Sequence, residues 1–263
     1  MSYPTQPGDP IWTDIFTTDP EGAIAFYGEL LGWSAEIAPE HGDYITFRKD
    51  GKAVAGGMGS DGSGGPSQWM VYLASTDAEE TAEKVTAAGG MTVVPVMPVS
   101  ELGKFGVFGD NGGVGIGVWE PGTMTGFEQR GIVGDGHWEG HVGAPSWFEL
   151  HTRSYDDALK FYREAFGWQD PFTIADTPEF RYTTIHSVSP MLGGVMDSSG
   201  FLPPSMPGYW AVYFGVEDVD ASVRKVQELG GSVVRPPEDT PYGRLAAVAD
   251  PAGVRFSLGG NKS

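Results

Sequence analysis

The sequence predicts an α+β protein made of two tandem modules, each assembled from paired βαβββ units. Three observations lead there: an internal repeat in constant order, short strands punctuated by glycine, and two capped helices at matching places in each copy. The repeat is the strongest of the three. Ala25–Trp33 (AFYGELLGW) recurs as Lys160–Trp168 (KFYREAFGW) at an offset of 135. Trp69-Met70-Val71-Tyr72 recurs as Trp210-Ala211-Val212-Tyr213 at 141, and so does Ala88-Gly89-Gly90 as Leu229-Gly230-Gly231. Asp110-Asn111-Gly112-Gly113 matches Asp250-Pro251-Ala252-Gly253 at 140. This order divides the chain into a first module over 1–120, a glycine-rich linker over 121–144, and a second module over 145–263.

Local rules supply the elements. Ile11 to Phe16 alternates and is rich in aromatic and β-branched residues, which suits a strand. Asp19-Pro20-Glu21 offers an N-cap, a first-position proline and a first-turn acid. Ile24, Tyr27, Leu30 and Leu31 follow at helical spacing, and Gly32 ends the helix. In the second copy Ser154 is the cap, and Ala158, Phe161, Tyr162 and Ala165 form the stripe before Gly167. Glycine-punctuated strands follow around 43–48, 53–58, 180–186 and 191–196, then Val71 to Ala74 and Val212 to Gly215. Thr76-Asp77-Ala78-Glu79 reads as a capping box opening a second helix that stops at Gly89-Gly90. Val219, Val223, Val226 and Leu229 are its counterpart stripe. Closing strands surround 92–96, 105–109 and 114–119, with partners near 232–235, 245–249 and 254–258.

Composition narrows the function. The 263 residues carry 35 acids and 16 bases, a net charge of −19, with 40 glycines and no cysteine. Disulfide scaffolds, thiolate metal sites and cysteine nucleophiles are excluded. A field of that sign repels polyanions, so nucleic acid is not an expected partner. No apolar run approaches the ~20 residues that span a bilayer, and the first ten residues lack the basic and apolar regions of a signal peptide. The expectation is a cytoplasmic protein, a monomer or a homodimer, whose partner is a small organic molecule.

On these residues the chain resembles the glyoxalase / bleomycin-resistance / extradiol-dioxygenase superfamily, the vicinal oxygen chelate proteins. The marks are Phe-Tyr in the first helix (Phe26-Tyr27, Phe161-Tyr162), Gly-Trp after it (Gly32-Trp33, Gly167-Trp168), a late Gly-Gly, and Asp-Pro-x-Gly before the last strand. Asp250-Pro251-Ala252-Gly253 has the last mark; Asp110-Asn111-Gly112-Gly113 lacks its proline. More closely the chain resembles two-module glyoxalase-like proteins often labelled hydroxylase or lyase. The resemblance implies curved, cup-like sheets around a pocket.

The resemblance also implies where a metal would sit. Carried over residue by residue, the ligand positions fall on Trp12 and Trp147, on Met70 and Ala211, and on Gly117 and Ser257. None is a His, Glu or Gln of the required type, so no metal and no other cofactor is expected. A register slip of two would bring Asp14, or Glu149 with His151, into play, which leaves a metal ion open through a non-standard set. His137 and His141 (HWEGH) have helical metal spacing but lie in the linker and read as solvated. His41 and His186 read as surface residues.

The same strand faces carry the candidate site. Trp12, Asp14 and Phe16 alternate onto one face, and Trp147, Glu149 and His151 onto its counterpart. Tyr72 and Tyr213 follow the second ligand position by two residues and face the same way. Phe105 and Tyr242 lie in loops just before a late strand and could close over a ligand. An aromatic-lined concavity with one acid per module suits an aromatic or cationic organic molecule. Asp14, Glu149 and His151 are the candidate acid–base groups of an enzyme reading: a lyase, isomerase or hydroxylase. Two bland alternatives stand beside it. The aromatics can be plain core, and the acids can pair with Arg48 and Arg181 as structural bridges.

Overall fold

The computed structural model describes residues 5–62, 66–134, 137–140, 142–168, 172–185, 192–206 and 208–262. The N-terminal half runs β1 (Pro10–Thr17), α1 (Pro20–Leu31), β2 (Ser34–Ala38), β3 (Tyr44–Lys49), β4 (Lys52–Gly59), then β5 (Gln68–Ala74), α2 (Ala78–Ala87), β6 (Met91–Val99), β7 (Gly103–Gly109) and β8 (Gly115–Pro121). A short hairpin follows, β9 (Ile132–Gly134) and β10 (His137–Glu139). The C-terminal half repeats the plan: β11 (Pro145–Thr152), α3 (Tyr155–Phe166), β12 (Phe172–Asp176), β13 (Arg181–Thr184), β14 (Gly193–Asp197), β15 (Gly208–Gly215), α4 (Val219–Glu228), β16 (Ser232–Thr240), β17 (Gly243–Ala249) and β18 (Arg255–Gly260). The fold is α+β with two tandem glyoxalase-like sheets. Their strand orders match: β2-β3-β4-β1-β5-β8-β7-β6 and β12-β13-β14-β11-β15-β18-β17-β16. β1/β4, β5/β8, β11/β14 and β15/β18 are parallel, and the recorded pairings nearer the edges are antiparallel. No helix among the described residues is long and apolar enough to cross a membrane.

Several local expectations need correction. β2 is an edge strand exposed along most of its length, so it has no buried alternation to betray it. The cap of α2 is Asp77, whose carboxylate accepts from Glu80 N, one residue later than the Thr76 box predicts. Ser154 occupies the cap of α3 without a side-chain bond; its own N–H donates to Thr152 Oγ1. The linker is not merely solvated glycine, because β9 and β10 pair within it. His137 is exposed on β10, and His41 is half-buried at the end of a short 3-10 helix, Pro39–His41. His141 and His186 lie outside the described residues.

Contact density groups the chain into two compact units. One holds Met1–Trp12, Met70–Gly126 and Phe148–Trp210; the other holds Thr13–Trp69, Phe127–Trp147 and Ala211–Ser263. Each unit therefore contains one βαβββ repeat from each half of the chain.

The repeated motifs explain the core of each unit. In the first, Tyr162 of α3 stacks on Trp168 (4.6 Å between ring centroids). Its hydroxyl accepts from Trp210 Nε1 and donates to Asp110 Oδ2, both at 3.2 Å. Trp168 Nε1 donates to Gly8 O. In the second, Tyr27 of α1 stacks on Trp33, accepts from Trp69 Nε1 and donates to Asp250 Oδ2. Trp33 Nε1 donates to Gly143 O. Phe-Tyr, Gly-Trp and the late aspartate are thus one hydrogen-bonded cluster, made twice. The missing proline in the first copy matters little, because Asp110 and Gly113 carry the turn: Asp110 accepts from Gly112 N and Val114 N, and Gly113 takes φ +85°. Burial pushes both tyrosine hydroxyls well above their ordinary range and raises the carboxyls of Asp110 and Asp250.

Candidate functional site

Asp14 and Glu149 lie at matching places on β1 and β11, each only 6% exposed. Burying a carboxylate is costly unless it is satisfied, and here each is met by a tyrosine. Tyr44 of β3 donates to Asp14 Oδ1 at 2.6 Å, and Tyr182 of β13 donates to Glu149 Oε2 at 2.7 Å. A glycine on the strand between makes each contact possible. Gly56 of β4 is the register partner of Asp14, and Gly194 of β14 that of Glu149. A Cβ at Gly56 would collide with both the Asp14 carboxylate and the Tyr44 hydroxyl; one at Gly194 would collide with the Tyr182 ring. The expected arginine bridges go elsewhere. Arg48 engages Glu36 and Glu128, and Arg181 engages Asp156, Asp176 and Asp197.

The two corners then diverge. Two residues after Glu149 on the same strand face comes His151, 7% exposed, with Nε2 2.9 Å from Glu149 Oε1. Its Nδ1 lies 2.9 Å from the hydroxyl of Ser198, a fully buried residue at the end of β14. The imidazole stacks on Tyr209 at 4.6 Å and 12°, and Phe201 meets it edge-on at 6.2 Å. With an ionised carboxylate and a neutral imidazole, Nε2–H would point at Glu149 and Ser198 Oγ–H would donate to Nδ1. Tyr182, Glu149, His151 and Ser198 form one hydrogen-bonded chain. The residue two after Asp14 is Phe16, half-buried and with no proton to exchange. Ser60, which matches Ser198 in donating its backbone N–H to the end of the first strand, uses its hydroxyl on Gly62 N instead.

The remaining predicted residues divide. Trp12, Tyr72 and Tyr213 are buried, and Trp147 and Phe105 half-buried. Tyr72 covers its register partner Gly117, where a Cβ would strike the ring. Tyr213 faces Trp138 of β10 at 6.3 Å. Tyr242 is 39% exposed, and its carbonyl accepts from Trp138 Nε1. The cations of the two loops turn to the helices: Lys104 pairs with Glu79 and Glu120, Arg244 with Asp220 and Asp239.

The superfamily's metal does not fit the donors present. Trp12, Trp147, Met70, Ala211, Gly117 and Ser257 supply no imidazole or carboxylate. Among the described residues, Asp77, Glu79 and Glu120 form a three-carboxylate group. All three already serve α2: Asp77 caps it, Glu120 accepts from Ala78 N, and Glu79 pairs with Lys104.

Sequence reasoning missed Tyr44, Tyr182, Ser198, Tyr209 and Trp138. The first two were within reach. Tyr44 and Tyr182 share an offset of 138, and so do Gly56 and Gly194.

Comparison with known proteins agrees with this architecture. A family model described as Glyoxalase/Bleomycin resistance protein/Dioxygenase superfamily matches residues 144–258. The chain is 37% identical to the anthracycline biosynthesis protein DauV of Streptomyces sp. (strain C5), over 96% of this chain and 93% of that one. It is 36% identical to the anthracycline biosynthesis protein DnrV of Streptomyces peucetius, with the same coverage. Among solved structures, the 2,3-dioxygenase LapB from Pseudomonas sp. KL28 superposes with a TM-score of 0.64 at 14% identity, over 98% of this chain and 94% of that chain. At that identity the likeness concerns the fold alone.

Proposed function

This chain belongs to the Glyoxalase/Bleomycin resistance protein/Dioxygenase superfamily, and from that premise we propose that it binds a flat aromatic metabolite and exchanges a proton with it at Glu149 and His151, without the superfamily's metal. The observation that carries the reading is the 2.9 Å contact between the Glu149 carboxylate and His151 Nε2, buried and held from both ends by Tyr182 and Ser198. Such a pair sets an imidazole nitrogen and a carboxylate oxygen within proton-transfer distance of each other, a geometry suited to acid–base work. The substrate class is supported by two things. Exposed Phe201 and the stacked Tyr209 surround the imidazole with ring surface, which favours a planar ligand. The relatives named for anthracycline biosynthesis suggest a polycyclic hydroxyquinone. Its phenol and carbonyl oxygens are groups to which a positioned acid–base pair can add or remove a proton. The reaction class is then a lyase or isomerase step in which a phenolate or enolate forms.

Asp14 with Tyr44 favours a second, humbler role in the N-terminal half. That corner has an acceptor and a ring, Phe16, but among the described residues no imidazole, and so would hold and orient a ligand without reacting.

The test is a titration with 1,8-dihydroxyanthraquinone, read by tryptophan quenching, together with turnover or solvent-deuterium exchange of the ligand. Wild type freed of metal by chelation should bind and exchange as before. His151→Phe should lose about 10²–10⁴-fold in exchange while still binding. Stoichiometric metal held through side chains and needed for exchange would sink the metal-free reading, and unchanged exchange in His151→Phe would sink the acid–base one.

A further inference from the structure

The two halves build the same indole position in different ways. In the N-terminal half Trp119 of β8 lies against Gly103, whose missing Cβ leaves room for the ring, and Trp119 Nε1 donates to Met124 O. At an offset of 140 the C-terminal half has Gly259 for Trp119 and Gly243 for Gly103. The strand carries glycine where its counterpart has tryptophan, yet an indole is still there. Trp138, from the β9–β10 hairpin, lies across both glycines: a Cβ on Gly259 would strike its six-membered ring, and one on Gly243 its pyrrole edge. Gly243 takes φ +115°, a conformation that side chains other than glycine rarely adopt. Tyr213 flanks the ring at 6.3 Å, and the Tyr242 carbonyl accepts from Nε1 at 2.8 Å. The hairpin is fastened by one further residue. Asn261 Oδ1 accepts from Trp138 N and its Nδ2 donates to Trp138 O, in imitation of a strand partner.

A bed of two glycines, a ring wall and a carbonyl acceptor is a binding site for a flat aromatic ring. Trp119 fills its counterpart from within the sheet and cannot leave without unpicking a strand. Trp138 is half-buried and hangs on three solvent-exposed hydrogen bonds. We propose that the Gly243–Gly259–Tyr213 bed is an aromatic-ring binding site that the chain's own Trp138 occupies and a free planar aromatic displaces. This deepens the aromatic-ligand part of the proposed function and rests on that part alone. A tethered occupant competes at an effective concentration in the millimolar range, so it raises the apparent Kd of any free ring and keeps the bed closed to weak ligands.

Indole is the probe, titrated into wild type, Trp138→Ala and Asn261→Ala, with binding followed by calorimetry and release of Trp138 by acrylamide quenching. Trp138→Ala should bind indole at least about tenfold more tightly than wild type. Asn261→Ala, an exposed change that leaves the bed intact, should fall between the two and expose Trp138 to quencher. Equal affinity in all three, or no saturable binding to a folded Trp138→Ala, overturns the proposal. So does an Asn261→Ala variant identical to wild type, because the occupant would then be locked in place. Should Trp138→Ala not fold, the Asn261→Ala comparison decides the matter. None of these measurements reads Glu149 or His151, so the acid–base function stands or falls separately.

Discussion

The Asp14 corner and the Glu149 corner share one backbone device and differ in what stands beside it. Each has an inward carboxylate on a first strand, a glycine as its register partner, and a tyrosine reaching over that glycine to the carboxylate. They part at the residue two further along, Phe16 in one and His151 in the other. Duplication preserved the costly part, a buried acid with its donor. The side chain two residues on then decides whether that acid has a phenyl ring or an imidazole beside it. Ser198 completes the second corner by giving the imidazole a partner at its far nitrogen.

The strongest way to break the comparison is to convert one corner into the other. His151→Phe should cost the C-terminal half about 10²–10⁴-fold in proton exchange and, by removing the imidazole that buried Glu149 and Ser198 both contact, should also lower the melting temperature. The reciprocal Phe16→His should install a second imidazole beside Asp14, visible as a new titrating ring in NMR; no contact between that ring and the carboxylate would show that the corners differ in backbone as well as in side chain. Next in size is the shared glycine. Gly194→Ala forces a Cβ into the Tyr182 ring and should destabilise by about 1–3 kcal/mol in urea unfolding, as overpacking does; Gly56→Ala should do the same beside Tyr44. An Ala variant as stable as wild type would mean that the tyrosine is free to swing away.

The core clusters give a smaller effect. Tyr27→Phe and Tyr162→Phe strand a buried indole N–H and one carboxylate contact, so each should cost about 1–3 kcal/mol, and the two should match each other. The smallest effect is one of sign. Burial raises the carboxyls of Asp110 and Asp250. A group whose folded value lies above its unfolded value contributes stability at pH below the unfolded value and loses it as pH rises through the folded one. Asp110→Asn and Asp250→Asn remove that dependence. Their melting temperatures, relative to wild type, should therefore be higher at pH 7 than at pH 3. The opposite trend would mean that the backbone N–H groups at each turn stabilise the charged form by more than burial penalises it.

Much of the fold was legible. The offsets of 135 to 141 and the caps at Asp19 and Gly32 mark elements that the structure contains. Local signals sufficed because a helix or a buried strand writes its own periodicity into the chain. β2 escaped for the converse reason: an exposed edge strand needs no apolar face. At the site, alternation along one strand was enough to put Glu149 and His151 on one face, since residues two apart always share a side.

By itself, then, the sequence determined that the chain is duplicated, that it has no thiol, and that two acids face inward. These are properties of single residues and of spacings within one strand or helix. Only the tertiary structure decided what those acids meet. Tyr44, Tyr182 and Ser198 reach Asp14, Glu149 and His151 from neighbouring strands, across sequence separations of 30, 33 and 47 residues. Trp138 reaches its glycine bed from a hairpin that no periodicity announces. A hydrogen bond between strands depends on register, and register is set by how whole sheets pack, which no local pattern records.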